Sequence, residues 1–134
     1  ASIKIKDKKI AKERADALLE MAQEYKNDWN YGNAVHHSHL VLGRLKLDEG
    51  DKDGAKAELK KAGQTPGSPQ LNSFGPNMTL AKELLAKGEK TAVLEYFNDV
   101  LKFWTVDHAK KYVDDWTKAI EKGKTPEFRG NLVY

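Results

Sequence analysis

The sequence predicts a single all-α domain, residues 1–134, of about six helices. Apolar residues recur at spacings of three and four along most of the 134-residue chain, which is the period of an amphipathic helix. Glycine or proline separates these segments, and no segment shows the strict alternation that is typical of a half-buried strand. With 40% apolar residues, the chain can bury a core.

Composition and charge exclude several classes of protein. The chain has no cysteine, which excludes disulfides, cysteine zinc sites and thiol nucleophiles. Its 23 basic and 20 acidic residues nearly cancel, so nucleic acid is not an expected partner. No apolar run approaches the roughly 18 residues that a membrane span requires. Because the first residue is alanine, localisation stays open between the cytoplasm and a mature exported chain whose signal peptide was removed.

A first helix is predicted from about residue 7 to residue 27, behind a flexible arm at residues 1–6. The arm and the helix start are rich in lysine, which predicts a solvated basic segment. The buried stripe of this helix is expected to consist of residues spaced by three and four: Ile10, Arg14, Ala17, Leu18, Met21, Ala22 and Tyr25.

The second and third helices are predicted to form a hairpin around a glycine turn. The second begins at an Asp28 N-cap and runs to about Glu49, where Gly50 ends it. The third covers Lys52–Ala62, and the carboxylate of Asp51 is expected to cap it.

The second half of the chain repeats this organisation after a long connection. The connection, Gln64–Pro76, contains three of the four prolines and is predicted to be irregular. Three further helices are predicted over Asn77–Ala86, Lys90–Trp104 and Val106–Lys122, followed by a tail at residues 123–134.

A shift of 38 residues aligns the two hairpins as copies of one pattern: helix, glycine turn, acidic cap, helix. The first copy reads His39-x-x-Leu42-Gly43-x-x-Lys46, then Ala55-x-x-x-Leu59, Ala62 and Pro66. This stretch resembles the tetratricopeptide repeat in its leucine–glycine pair, its following alanine and its closing proline. The second copy keeps the apolar positions. His39 and Lys46 depart from the family, which prefers large aromatic residues there.

The resemblance covers residues from about 30 to 104 and implies two stacked hairpins flanked by an N-terminal and a C-terminal helix. It also implies a non-catalytic module that binds a peptide or a partner protein in a concave groove, with no cofactor. The first helix of a hairpin lines such a groove, which here implies His37, Leu40, Arg44 and Leu47. Arg44 is the expected carboxylate anchor, because its planar guanidinium can bind one bidentately. The oligomeric state is not predicted.

An alternative function is the binding of a small molecule or a metal by a polar pocket around Asn33, His36 and His39. His36 and His39 are three residues apart and share a helix face, so both imidazoles could ligate one metal. No local motif supplies a third ligand, and our main expectation is therefore that no metal is bound. Asn72, in the connection, is a further candidate for lining a pocket.

The segments Trp29–His36 and Thr65–Leu80 also resemble those of small bacterial helical-repeat proteins of unassigned function. No catalytic motif is found in the sequence, so we do not expect an enzyme.

Overall fold

The computed structural model of the protein describes residues 5–24 and 31–132, and within these ranges it contains helices and no β-strand. The all-α prediction is confirmed. In chain order the helices are α1 (Ile5–Glu24), α2 (Tyr31–Asp48), α3 (Lys52–Gly63), α4 (Pro69–Phe74), α5 (Thr79–Ala86), α6 (Lys90–Val100) and α7 (Ala109–Glu121), followed by a 3₁₀ turn (Arg129–Leu132). None of the described helices combines the length and hydropathy needed to cross a bilayer.

The helix starts follow the predicted capping chemistry in part. Asp51 caps α3 as predicted, because its side-chain oxygen accepts a hydrogen bond from the backbone N–H of Gly54 at 2.8 Å. The predicted Asp28 cap and Tyr25 lie outside the described residues. α1 begins at Ile5, inside the segment that was predicted to be a flexible arm.

The connection is more regular than the sequence predicts, because it contains the short helix α4. The side-chain oxygen of Ser68 accepts a hydrogen bond from the N–H of Leu71 at 3.0 Å, and Pro69 occupies the first turn. Proline is favoured at that place, since its missing N–H would have no helical partner and its φ is already helical. Pro69, one of the prolines from which an irregular connection was predicted, therefore begins a helix.

α5 and α6 are shorter than predicted. α5 begins at Thr79 instead of Asn77, because the Asn77 side chain turns back and accepts a hydrogen bond from the Thr79 N–H at 2.9 Å. α6 ends at Val100. Phe103 and Trp104 lie in the turn that follows, and both side chains are still buried.

The described helices pack as two hairpins, α2–α3 and α5–α6, with α1 against α2 and α7 against α6. α3 packs on α6, and α2 contacts α5, so the two hairpins share one core. At Gly43, a Cβ atom would lie 2.4 Å from a methyl carbon of Leu80 and 3.1 Å from Cβ of Glu58. The missing side chain is therefore what allows α2, α3 and α5 to meet.

The buried face of α1 differs from the predicted stripe. Ala15 and Ala22 are buried against the rest of the protein, whereas Ile10, Leu18 and Met21 are exposed. The helix has apolar residues around more than half of its circumference, so periodicity alone does not select a face. The short alanine side chains allow α1 to approach α2 closely, and the larger residues remain outside.

Candidate functional site around His36

His36 lies at the centre of the fold, where three segments of the chain meet. Its side chain is fully buried, with 0% exposure. Nδ1 lies 3.1 Å from the carbonyl oxygen of Ala62, at the end of α3, and Nε2 lies 3.1 Å from the backbone nitrogen of Asn77, ahead of α5. A carbonyl can only accept and an N–H can only donate. His36 is therefore a neutral imidazole that donates from Nδ1 and accepts at Nε2.

Burial is what keeps this imidazole neutral. It lowers the pKa of His36 to about 3, and the hydrogen bond to the Ala62 carbonyl offsets only part of that effect, while the adjacent His37 lowers the pKa further. The ring also stacks on Tyr96 with its centroid 6.4 Å away and meets the edge of Phe103 at 5.9 Å. The aromatic surroundings and the two hydrogen bonds fix the ring in one orientation.

Asn77 extends this network towards α5 and α6. Its backbone carbonyl accepts a hydrogen bond from the Tyr96 hydroxyl at 2.8 Å, in addition to the bond from its N–H to His36. Asn131, near the end of the described chain, closes the same region. Its side-chain NH₂ donates to the Pro76 carbonyl at 2.9 Å, and its own carbonyl accepts from the Met78 N–H at 2.7 Å.

Asn33 and His37 lie beside His36 on α2, and both are half-buried. The rings of His36 and His37 meet edge to face with their centroids 5.2 Å apart. Burial lowers the pKa of His37 below its usual value, so this imidazole is also neutral at physiological pH. The sequence had assigned Asn33 to the polar pocket of His36 and His37 to the groove of Arg44, and both residues lie next to His36 on α2.

Asn72 is engaged elsewhere. Its side-chain oxygen accepts hydrogen bonds from the N–H of Thr105 at 2.7 Å and from the Thr105 hydroxyl at 3.3 Å. These bonds attach α4 to the turn between α6 and α7. In this arrangement the Asn72 acceptor ties two segments of the fold together.

His39 has a different environment from His36, although the two share a helix. Its Nδ1 lies 2.7 Å from one carboxylate oxygen of the buried Glu58, and Lys46 Nζ lies 3.0 Å from the other. Burial by itself raises the pKa of Glu58, but the hydrogen bonds from His39 and Lys46 outweigh it and hold the pKa below its usual value. Glu58 is therefore an ionised carboxylate between α2 and α3, which the sequence analysis did not single out.

These partners bear directly on the metal alternative. Ligation by His36 would require breaking one of its two hydrogen bonds, since each ring nitrogen already has a partner. Within residues 5–24 and 31–132, no group of three or more His, Cys, Asp or Glu side chains is arranged to hold a metal ion.

Stoichiometric Zn²⁺ or Ni²⁺ is accordingly expected to leave the melting temperature of the protein unchanged. A closed metal site would raise it, because binding to the folded state alone stabilises by roughly 3–4 kcal/mol when the metal exceeds its Kd by 100- to 1,000-fold. Differential scanning calorimetry with and without chelator measures this. A chelator-reversible rise that disappears in His39→Ala would instead establish the metal site.

Arg44 lies on the solvent side of α2. Its Nε donates to Glu83 of α5 at 2.6 Å, and its side chain is 45% exposed. Two of the residues that were expected to line a groove with it, Leu40 and Leu47, are buried in the core instead, so they are not exposed to a ligand. That part of the groove prediction is wrong.

The start of α2 makes a close backbone contact with the connection that no pattern in the sequence indicates. A Cβ on Gly32 would lie 1.9 Å from the carbonyl oxygen of Gly67, and a Cβ on Gly67 would lie 2.4 Å from Cβ of Phe103. The Thr65 hydroxyl donates to the Gly32 carbonyl at 2.7 Å. The two glycines were visible in the sequence, but only the tertiary structure shows that they touch.

Comparisons of the chain with protein-family models, with curated proteins and with solved structures found no match.

Proposed function

We propose that the protein is a non-catalytic helical-repeat interaction module, similar to a tetratricopeptide repeat, that binds a carboxylate-bearing peptide segment of a partner protein at Arg44. The two stacked hairpins and the contact of Gly43 with the neighbouring helices support the repeat-like arrangement. The observation that carries the proposal is the way in which Glu83 holds the Arg44 guanidinium.

Glu83 uses only one donor of Arg44. The 2.6 Å bond joins Nε to Glu83 Oε1, and neither terminal nitrogen of the guanidinium has a partner among the described residues. The side chain, which is 45% exposed, is thus oriented by a neighbouring helix that leaves its two terminal NH₂ groups for a ligand. Such a pair of parallel donors matches the two oxygens of a carboxylate, and bidentate pairs of this kind are among the stronger hydrogen bonds of proteins.

The surroundings of Arg44 add an apolar contact one turn away. Val41 is 38% exposed, and it lies three residues before Arg44 and four after His37, so the three residues follow one stripe of α2. The half-buried, neutral ring of His37 continues this stripe. A peptide with an aspartate, a glutamate or its C-terminal carboxylate close to an apolar side chain fits this surface.

The polar pocket around Asn33, His36 and His39 is a weaker candidate. The hydrogen-bonding capacity of the His36 ring is used within the fold, and His39 is held by Glu58. The Arg44 side chain is 45% exposed and its bond to Glu83 uses Nε, so a ligand can bind the terminal nitrogens without breaking that bond.

Arg44→Ala is expected to weaken peptide binding about 10- to 150-fold, because it removes a charge-assisted contact of roughly 1.5–3 kcal/mol. The ligands are peptides selected against the wild type from a random library with free C-termini, and fluorescence anisotropy gives their Kd. The melting temperature should hardly change, since an exposed ion pair such as Arg44–Glu83 contributes at most about 1 kcal/mol.

Two controls make this test specific. Lys110→Ala removes another exposed cation on α7 and should leave the Kd unchanged. Amidating the peptide carboxylate should weaken binding to the wild type and not to Arg44→Ala, because both changes remove the same contact. If the selected peptides bind Arg44→Ala as tightly as the wild type, Arg44 is not the anchor and the proposal fails.

A further inference from the structure

The outer face of α1 is the most apolar exposed helix face in the described part of the chain. Ile10, Leu18 and Met21 are three of the five large hydrophobic residues that are exposed there, with 41% exposure for Leu18 and 56% for Met21. Ala17 lies between them and is exposed as well. At spacings of seven, eight and eleven residues from Ile10, they form one stripe along three turns of helix. Clustered exposed apolar side chains of this kind mark interaction surfaces.

The charges along α1 are separated by sign. The first half, residues 5–14, has five basic and two acidic side chains, and the second half, residues 15–24, has three acidic and no basic ones. This order opposes the helix macrodipole, which favours acidic residues at the N-terminus and basic residues at the C-terminus. The isolated helix is therefore destabilised by its own charge pattern, and an antiparallel helix laid against it would reverse that effect.

Four of these charges lie along one flank of the apolar stripe. Lys6 and Lys9 lie at the basic end of this flank, and Glu20 and Glu24 lie at its acidic end. At roughly 100° per residue, all four positions fall within an arc of about 60° around the helix axis. All four side chains are exposed, and none forms an ion pair with another described residue. They are available to a partner that presents the opposite order of charge.

We propose that α1 is a homodimerisation helix, which pairs antiparallel with α1 of a second copy across a two-fold axis. A second copy supplies the complementary pattern, because an antiparallel two-fold pair brings the basic end of one flank onto the acidic end of the same flank in the other molecule. With the axis between Ala15 and Asp16, Ile10 of one copy meets Met21 of the other, and Lys6 and Lys9 meet Glu20 and Glu24. The apolar stripe is buried at the same time.

Charge-reversed pairs of the full chain test the proposal. Analytical ultracentrifugation should show a concentration-dependent dimer for the wild type. The double variant Glu20→Lys with Glu24→Lys should weaken it about tenfold or more, as should Lys6→Glu with Lys9→Glu, because each homodimer then faces like charges. An equimolar mixture of the two variants should form a heterodimer with wild-type affinity, since every reversed contact is again complementary.

Met21→Glu is a second, independent disruption and should also give a monomer, because it places two charges in the apolar seam. All of these substitutions are at exposed positions, so circular dichroism should show unchanged helix content. A wild type that stays monomeric at every concentration overturns the proposal. A dimer that neither reversal weakens, or a mixture that does not recover, overturns it too. Arg44 lies on α2, so these outcomes are separable from those of the peptide experiment.

Discussion

Gly67→Ala is expected to lower the free energy of unfolding by about 2–5 kcal/mol. Gly67 has φ of +83°, and its added Cβ would lie 2.4 Å from Cβ of Phe103. The left-handed backbone costs about 1–2 kcal/mol for a residue with a Cβ, and forcing an extra atom into a packed site adds roughly 1–3 kcal/mol. Urea unfolding followed by circular dichroism measures the loss.

The chain offers matched controls that separate these two contributions. Gly50 and Gly88 have φ of +87° and +81°, and a Cβ on either would meet nothing within 4 Å. Gly50→Ala and Gly88→Ala should therefore lose only the backbone contribution of about 1–2 kcal/mol. A Gly67→Ala protein that is no less stable than these two would show that the connection is not packed against Phe103.

Gly32→Ala tests the adjoining contact, between the start of α2 and the backbone of Gly67. Alanine within a helix normally stabilises by up to about 1 kcal/mol relative to glycine, but here the Cβ would lie 1.9 Å from the Gly67 carbonyl oxygen. We therefore expect Gly32→Ala to lower the free energy of unfolding, although helix propensity alone would raise it. Since both substitutions displace the same backbone around Gly67, the double variant should lose less than the sum of the single losses.

This contact illustrates which parts of the fold the sequence predicts. The helices and most of their ends follow from local patterns, such as apolar spacing, the Asp51 cap and the glycine turns, so they could be predicted. α4 could not, because whether a proline breaks or starts a helix depends on the Ser68 conformation. The buried face of α1 could not either, since its apolar residues surround more than half of the helix and packing against α2 selects which of them are buried.

The candidate site shows the same division. His36 and His37 stand out in the sequence as adjacent imidazoles beside an apolar stretch, and the structure places them side by side. Their chemistry is decided by residues far along the chain: the hydrogen-bond partners of His36 are 26 and 41 residues away. No sequence spacing links His36 to Ala62 or Asn77. A histidine that is buried for structural reasons therefore has the same local sequence pattern as one that binds a metal.

The burial of His36 makes the stability of the protein depend on pH. In the unfolded chain the imidazole has its ordinary pKa of about 6.5, whereas in the folded protein the pKa is about 3. Below pH 6.5 the unfolded state therefore binds a proton that the folded state does not, and stability falls as the pH falls. The loss begins near pH 6.5 and is complete near pH 3, where folded His36 is protonated as well.

The expected size of this loss is on the order of 4–5 kcal/mol, since each pKa unit corresponds to about 1.4 kcal/mol. That is a large part of the roughly 5–15 kcal/mol by which domains are stable, so the protein should approach acid unfolding by pH 4. His37 and Glu58 also have lowered pKa values and add to the decline in the same direction. The total slope alone therefore does not identify His36.

His36→Asn isolates its contribution. Asparagine does not titrate, so the variant should lose less stability than the wild type between pH 7 and pH 4. Although its amide keeps a donor and an acceptor, we expect the variant to be less stable than the wild type at pH 7. Urea unfolding at several pH values gives both slopes. Equal slopes for His36→Asn and the wild type would mean that His36 binds its proton over the same pH range in the folded protein as in the unfolded chain. The protonated ring would then place an N–H against the N–H of Asn77. The hydrogen bond that joins α2 to the start of α5 could not form in that state.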